Sequence, residues 1–399
     1  MTNPLFEFRS FRFFFFARIS TTLANQMMMV VVAWQMYGLT HSAYDLGMVG
    51  LAQFLPSLVL TLVVGQVADR FDRRRVLAWC LVGQLCASAV LIAGTLDGWL
   101  SREAILIVSV ALGAAKAFQM PTQQALGPLL VPATALPRAL ATSAAGMQAA
   151  IIIGPALGGF IYVAGAEVVY ILSAMLFMLA IGFVSFIKLN NVAVVHEPVS
   201  IRSLFAGITF IWNRKEVLGA ISLDLFAVLL GGAVALLPIY ANEILHVGPW
   251  GLGLLRSAPA VGALAMSLYL AQRPIRGRVG AVMFGSVAIY GIATLVFALS
   301  TSFMLSMIAL ACTGMFDMVS VVIRQSLVQL QTPNEMRGRV SAVNSIFIGA
   351  SNQLGEFESG MTASLFGTVP SVVIGACGTL LVVAVCMKAF PTLVKHDKF

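Results

Sequence analysis

Charge is what this sequence has least of. Only 10% of its 399 residues are Asp, Glu, Lys or Arg, against 59% hydrophobic residues. A soluble domain carries about 25% charged residues, so an ordinary water-facing fold is excluded. Histidine is almost as scarce. The four present, His41, His196, His246 and His396, stand apart in predicted loops or the tail. They form no HExxH pair and no Cys/His ligand set. The five cysteines, Cys80, Cys86, Cys312, Cys377 and Cys386, lie scattered in apolar runs without a CxxC spacing. They read as small buried hydrophobes rather than disulfides or metal ligands. No Walker-type phosphate loop is present, which argues against direct ATP drive. The Phe-rich start carries Arg9, Arg12 and Arg18 with no small-residue cleavage site, so it is not expected to be a signal peptide. These absences predict no enzyme activity, no cofactor and no metal.

What fills the chain instead is long apolar runs, with a mean hydropathy of +0.94. Each run approaches the roughly 20 residues that cross hydrocarbon, and about twelve can be counted, among them 216–241, 303–331 and 337–366. The fold class predicted is an all-α membrane protein. The cations fall in alternate loops, from Arg9 and Arg12 through Arg70 to Arg75, Arg138, Lys188 to Arg214, Arg273 to Arg278, Arg337 and Arg339, to Lys388, Lys395 and Lys398. That alternation predicts both termini in the cytoplasm. It also accounts for the net charge of +8 without a nucleic-acid partner. Trp34, Trp99 and Trp250 fall near predicted outer ends of spans, and Trp79 and Trp212 near inner ends, where aromatic anchors belong.

Three local patterns carry mechanism. The first is Gly65-x3-Asp69-Arg70-x-Asp72-Arg73-Arg74-Arg75, a charge cluster between two apolar runs. The second is Gly146-x7-Gly154-Pro155-x2-Gly158-Gly159 in the fifth span. There, glycines permit close helix approach and Pro155 removes a helix hydrogen bond. The third is Lys116-x2-Gln119 in the fourth span. The first cluster resembles the loop between the second and third helices of the major facilitator superfamily, with Asp72 where a glycine is usual. The fifth-span pattern resembles that superfamily's antiporters, and the fourth-span pattern partly matches an Arg-x-x-Gln motif. Phe11-Arg12-x4-Ala17-Arg18-x-Ser20 and Leu330-Gln331-Thr332-Pro333-x-Glu335-Met336-x-Gly338-Arg339-Val340 resemble the drug and siderophore exporter branch. The resemblance implies a major facilitator fold and proton-driven export. It makes Gly65, Asp69, Arg70, Arg73 and Arg74 a gating loop. Asp69 is expected to meet the positive N-terminal end of the eleventh span.

The halves of the chain repeat. An offset of 201 aligns Gly113 with Gly314, Gln124 with Gln325, Pro132 with Pro333, Arg138 with Arg339, Gly154 with Gly355 and Gly159 with Gly360. An offset of 206 aligns Leu46-Gly47 with Leu252-Gly253, Gln66 with Gln272 and Arg70 with Arg276. Two pseudo-symmetric six-helix bundles follow, 1–187 and 216–399, joined by a cytoplasmic linker, 188–215, with a candidate interfacial helix near 200–212.

Ionisable residues inside spans are costly and are functional candidates by default. Asp317, Glu356, Lys116, Asp224 and Glu358 are the proton-coupling candidates, Asp317 first and Glu356 second. Arg18, Asn25, Gln119 and Arg324 are the substrate-cavity candidates. By the two offsets, Arg18 matches Asp224 and Lys116 matches Asp317, so the first half supplies cations where the second supplies anions. Structural ion pairing is the competing explanation for these charges. Glu356 and Glu358, two residues apart, should point in different directions. The expected function is an inner-membrane secondary exporter exchanging protons for a small, partly apolar molecule. An importer or lipid flippase of the same fold, or a non-transporting membrane sensor, are the alternatives. The partners expected are a small-molecule substrate, protons and membrane lipid, with no nucleic acid and a monomeric state.

Overall fold

The computed structural model describes residues 4–132, 134–188, 201–273, 275 and 277–394, with the side chains of 4, 61–70, 201–205, 207, 334, 335, 337, 338 and 342 left aside. Among these residues every regular element is helical. In lipid a helix satisfies all its backbone groups internally, so apolar runs of this length have little alternative. The first half contains α1 Arg9–Thr40, α2 Ala43–Arg70, α3 Arg73–Leu96, α4 Arg102–Leu126, α5 Leu136–Ile161 and α6 Ala166–Ser185. A short helix, α7 Ile201–Asn213, follows. The second half contains α8 Lys215–Leu230, the three-residue α9 Leu237–Ile239, α10 Gly248–Gln272, α11 Val279–Leu299, α12 Phe303–Gln331, α13 Asn334–Phe366 and α14 Thr368–Ala389, with α15 Pro391–Val394 at the end.

Among the described residues, eleven helical runs are long and apolar enough to cross a membrane. The twelfth helix of spanning length, α13, has 33 residues. At 1.5 Å per residue that is about 50 Å. It falls outside the eleven because Asn344, Ser351, Asn352, Gln353, Glu356, Glu358 and Ser359 interrupt its hydropathy. Large apolar side chains stand exposed along the spans: Ile107, Leu268, Met304 and Leu381 are all more than half exposed. A soluble protein would hide them; hydrocarbon solvates them. Cys86 and Cys377 lie on such outer faces, while Cys80 and Cys386 are buried. The expectation that the cysteines pack inside therefore fails for two of the five, because apolar sequence does not distinguish core from lipid.

The seventh run departs from a straight helix. α8 ends at Leu230, the chain turns through Gly231 and Gly232, and a 3-10 turn Ala233–Leu236 leads through α9 into a π-helical turn Tyr240–Ile244. Gly231-Gly232 and Pro238 are breaker signals that the continuous 216–241 reading passed over. The close approach needs glycine: a Cβ on Gly232 would lie 2.3 Å from the Gly355 carbonyl oxygen.

The helices group into two compact units, Met1–Thr40 with Ala52–Val199, and His41–Leu51 with Ser200–Phe399. The first turns of α2 thus belong with the second unit. There a Cβ on Gly47 would lie 3.0 Å from the Phe357 carbonyl oxygen of α13. In the first unit α1 packs on α5 and α6, and α3 on α4 and α6. In the second, α8 packs on α13 and α14, and α11 on α12 and α14, which is the same set of pairings. The match extends to single residues. A Cβ on Gly113 would lie 2.1 Å from the Gln53 carbonyl oxygen, and one on Gly314 would lie 1.8 Å from that of Pro259. A Cβ on Gly154 would lie 3.4 Å from the Leu23 carbonyl oxygen, and one on Gly355 would lie 2.8 Å from that of Leu229. Each glycine pair is 201 residues apart and each carbonyl pair 206, the same offsets found in the sequence.

The second unit's core lies among α8, α11, α12 and α14, around Leu223, Met283, Phe284, Ile323 and Val383. α7 docks through Ile211 beside Val217, Ile221, Val328, Val340 and Val343. Residues 189–200 of the expected linker lie outside the described residues.

Candidate functional site

Asp317 and Arg324 are seven residues apart on α12, two helical turns, and so share a face. Asp224 reaches toward that face from α8. Arg324 takes Asp224 as its partner, Nη1 to Oδ2 at 2.8 Å, with both side chains nearly fully buried. Arg324 is therefore engaged within the second unit rather than presented to a substrate. Its Nε, and the hydroxyl of Ser320, are buried with no partner among the described residues.

Asp317 is placed differently. It has no ion pair or hydrogen bond among the described residues, and it is half-buried. It lines a cavity of about 220 Å³ together with Val228, Gly231, Pro259, Tyr290, Thr313 and Asn352. One guanidinium stands near two carboxylates and is bonded to the other one. A charge on Asp317 thus has no counter-charge of its own. In a low-dielectric interior such a charge is costly, and a proton or a cation arriving from outside would relieve it.

The other intramembrane candidates are distributed as follows. Glu356 lies beside the first turns of α2, where a Cβ on Gly50 would meet its Oε2 at 2.8 Å, and within electrostatic reach of Arg256 on α10. Glu358 points elsewhere and accepts a hydrogen bond from Thr362 Oγ1 at 2.7 Å. The two carboxylates do not form a dyad. In the first unit, Lys116 Nζ donates to Gln53 Oε1 at 3.0 Å. Arg18 Nη2 meets Met147 Sδ at 3.3 Å, and its Nε is buried without a partner among the described residues. Asn25 and Gln119 are brought together through Gln84. Asn25 Nδ2 donates to Gln84 Oε1 at 3.5 Å, and Gln84 Nε2 donates to Gln119 Oε1 at 2.7 Å. Gln84 was missed in the sequence because an isolated glutamine in an apolar run carries no motif.

The gating-loop candidates divide. The side chains of Gly65, Asp69 and Arg70 lie outside the described residues. Asp72 caps α3, its Oδ1 accepting the Arg74 backbone N–H at 2.9 Å. Its φ is −58°, so a glycine conformation is not required and an aspartate serves as N-cap instead. Arg74 Nη1 donates to the Ile187 carbonyl at 3.0 Å, beyond the end of α6. A carbonyl left unpaired at a helix end thus supplies the Arg74 partner. Arg73 sits in the first turn of α3. In the antiporter-like pattern, Gly146, Gly154 and Gly158 face Phe15, Ile19, Gln26 and Met27 of α1. These contacts lie within the first unit. Pro155 and Gly159 are buried in α5.

A family model described as transmembrane secretion effector matches residues 2–398. The chain belongs to this family of major facilitator transporters. It is a multi-pass membrane transporter, and the family and its named relatives are transporters, not enzymes. It is 29% identical over 360 residues to a multidrug efflux pump, Tap, of Mycobacterium tuberculosis, covering 86% of this chain and 85% of the relative. It is 25% identical over 385 residues to an enterobactin exporter, EntS, of Citrobacter koseri, covering 94% and 90%. Among solved structures, a bacterial homologue of the human lysosomal transporter Spinster, inward-facing and occupied, superposes with a TM-score of 0.76 at 12% identity over 98% of both chains. A bacterial homologue of ferroportin, inward-facing, superposes with a TM-score of 0.73 at 16% identity, covering 97% of this transporter and 99% of the other chain. At these identities the solved structures establish the fold alone.

Tyr290, Thr294, Thr313, Asn352 and Pro259, which line the Asp317 cavity, went unselected in the sequence. Each is an ordinary residue of an apolar run, and only the packing of α10, α11, α12 and α13 brings them together. The one available signal was the Gly231-Gly232 break.

Proposed function

We propose that this transporter exports a small, partly apolar molecule in exchange for protons, by alternating access, across a bacterial inner membrane with both termini in the cytoplasm. Asp317 carries the proton. The observation behind this is the asymmetry between two neighbouring carboxylates: Asp224 holds Arg324 at 2.8 Å, while Asp317 opens on a cavity with no partner among the described residues. A group that exchanges protons with a water-accessible path needs access and a charge state that its neighbours do not lock. Asp317 has both, and Asp224 has neither. Glu356, pressed against α2, is the second candidate. Export rather than import is supported by the named relatives, an efflux pump and a siderophore exporter, and by the glycine-rich α5. Asp69, at the last turn of α2, acts in gating rather than in binding substrate. The division into 1–187 and 216–399 bundles, with 188–215 between them on the cytoplasmic side, completes the reading.

The test is transport in proteoliposomes under an imposed pH gradient, across a panel of drugs and a catecholate siderophore. Asp317→Asn should abolish uphill accumulation and leave downhill substrate exchange measurable. Uphill accumulation with unchanged pH dependence in that variant would make Asp317 structural.

A further inference from the structure

We propose that the start of α1 and the end of α6 form a binding site for a net-anionic phospholipid, with Arg9, Arg12 and Lys188 holding its phosphate and an exposed phenylalanine face taking its acyl chains. The site lies wholly within the first unit.

Three cations stand together here. Arg9 and Arg12 open α1, and both guanidinium groups lie over the ring of Phe13, at 5.6 and 5.8 Å from its centroid. Ser10, between them, ties the end of α6 to the same turn. Its hydroxyl donates to the Lys188 carbonyl at 3.1 Å and accepts from the Lys188 backbone N–H at 3.1 Å. Arg9, Arg12 and Lys188 are all exposed. None of them forms an ion pair among the described residues, and Glu7, in the turn before α1, joins none. Arg74 adds a fourth positive charge, held at the neighbouring Ile187 carbonyl. Like charges gathered this way repel one another. An anion set among them at a membrane surface is favoured by about fivefold per cation.

The surface beside the cations is apolar. Phe13 packs on Phe186 at 5.4 Å and on Phe183 at 6.1 Å, and Phe16 packs on Phe183 at 6.0 Å, between ring centroids. Phe16 and Phe186 are nevertheless 43% and 58% exposed. A free phosphate would use the cations and leave these rings unused. A phospholipid uses both, with its phosphate at the cations and its acyl chains along the rings. The headgroup must be net anionic, because a zwitterionic one would bring an ammonium into the same field of positive charge.

The repeat shows that this corner is built differently in the two halves. By the 206 offset, Arg9 matches another cation, Lys215, but Arg12 matches Leu218 and Phe13 matches Gly219. Leu218 packs with Ile211 of α7 in an apolar cluster. A Cβ on Gly219 would lie 2.8 Å from the ring of Phe390, which follows α14. α15 then buries Leu393, whose carbonyl oxygen lies 1.7 Å from where a Cβ on Gly280 of α11 would stand. The second half thus keeps an aromatic ring at this place, supplies it from the chain after α14, and packs the position of Arg12 with its own side chains. Among the described residues, the first half has two exposed cations there in place of a covering segment.

Native mass spectrometry of the full-length transporter in a neutral detergent, with dioleoylphosphatidylglycerol or dioleoylphosphatidylcholine added, tests this. The wild type should retain phosphatidylglycerol about tenfold or more tightly than phosphatidylcholine. Arg9→Gln combined with Arg12→Gln should bring the two lipids within about threefold of each other. Lys188→Gln keeps the backbone bonds to Ser10 and serves if the double variant is not monodisperse; it should weaken phosphatidylglycerol by about two- to fivefold. Lys388→Gln, at an exposed cation in the last turn of α14, should leave both lipids unchanged. Equal retention of the two lipids by the wild type, a preference that survives the double variant, or an equal loss in Lys388→Gln would each overturn the proposal. Displacement of the lipid by excess inorganic phosphate would overturn it in favour of a free-anion site. A wild type without the preference that gains it in Glu197→Gln would assign the cations to the linker's own carboxylate, and would equally overturn it.

Discussion

Replacing Asp224 by Asn isolates the buried charge of Arg324. The pair is 2.8 Å apart with side chains 3% and 5% exposed. At that distance the gross attraction is roughly 6 kcal/mol for an effective dielectric of about 20, and most of it offsets the desolvation of both ions. Removing one partner leaves the other's desolvation uncompensated, which costs about 3–5 kcal/mol. Asparagine keeps one acceptor, so the low end applies. Replacing both, as Asp224→Asn with Arg324→Met, should recover most of the loss, because no charge is then stranded. Asp317 complicates the single variant, since Arg324 can turn to it. Asp224→Asn in the Asp317→Asn background removes that escape, and its cost should exceed the sum of the single costs. Denaturant unfolding in detergent, read as a four-member cycle, measures this. If Asp224→Asn stays within about 0.5 kcal/mol of wild type in the Asp317→Asn background as well, the pair does not hold the unit and the account of Asp317 as the unpartnered carboxylate fails.

Other expectations follow from single contacts. Gly314→Ala places a methyl 1.8 Å from the Pro259 carbonyl oxygen and should destabilise by about 1–3 kcal/mol or more. Gly349→Ala meets nothing within 4 Å and should be neutral or stabilise α13 by about 0.5–1 kcal/mol; thermal unfolding of both checks the contrast. Asp72→Ala should lose the α3 cap, at about 0.5–2 kcal/mol, while Asp72→Asn should retain it. Asp69→Asn should slow transport with substrate affinity nearly unchanged; a large affinity loss with normal kinetics would remove its gating role.

The helices were readable because lipid leaves apolar runs one solution, and the charges at Arg73 to Arg75 and at Lys215 mark where runs begin. The repeat was readable because Gly113, Gly314 and Gly355 are each required by a carbonyl at close range and Gly154 by the Gln26 side chain. The Asp317 site was half readable. An aspartate in a span announces itself, but its freedom depends on which neighbour Arg324 chooses and on a proline at 259. Neither follows from local pattern. The glycines of α5 show the same limit: small residues announce close packing without saying against which helix, and the helix that Gly146, Gly154 and Gly158 meet is α1. The bend after Leu230 was written in Gly231-Gly232 but outweighed by the hydropathy around it.

The measurement that bears most directly on the account is uphill transport by Asp317→Asn in proteoliposomes with an inward proton gradient, beside downhill exchange in the same vesicles. The account predicts that accumulation is lost while exchange continues. Accumulation at the wild-type level, with the same dependence on pH, would contradict it.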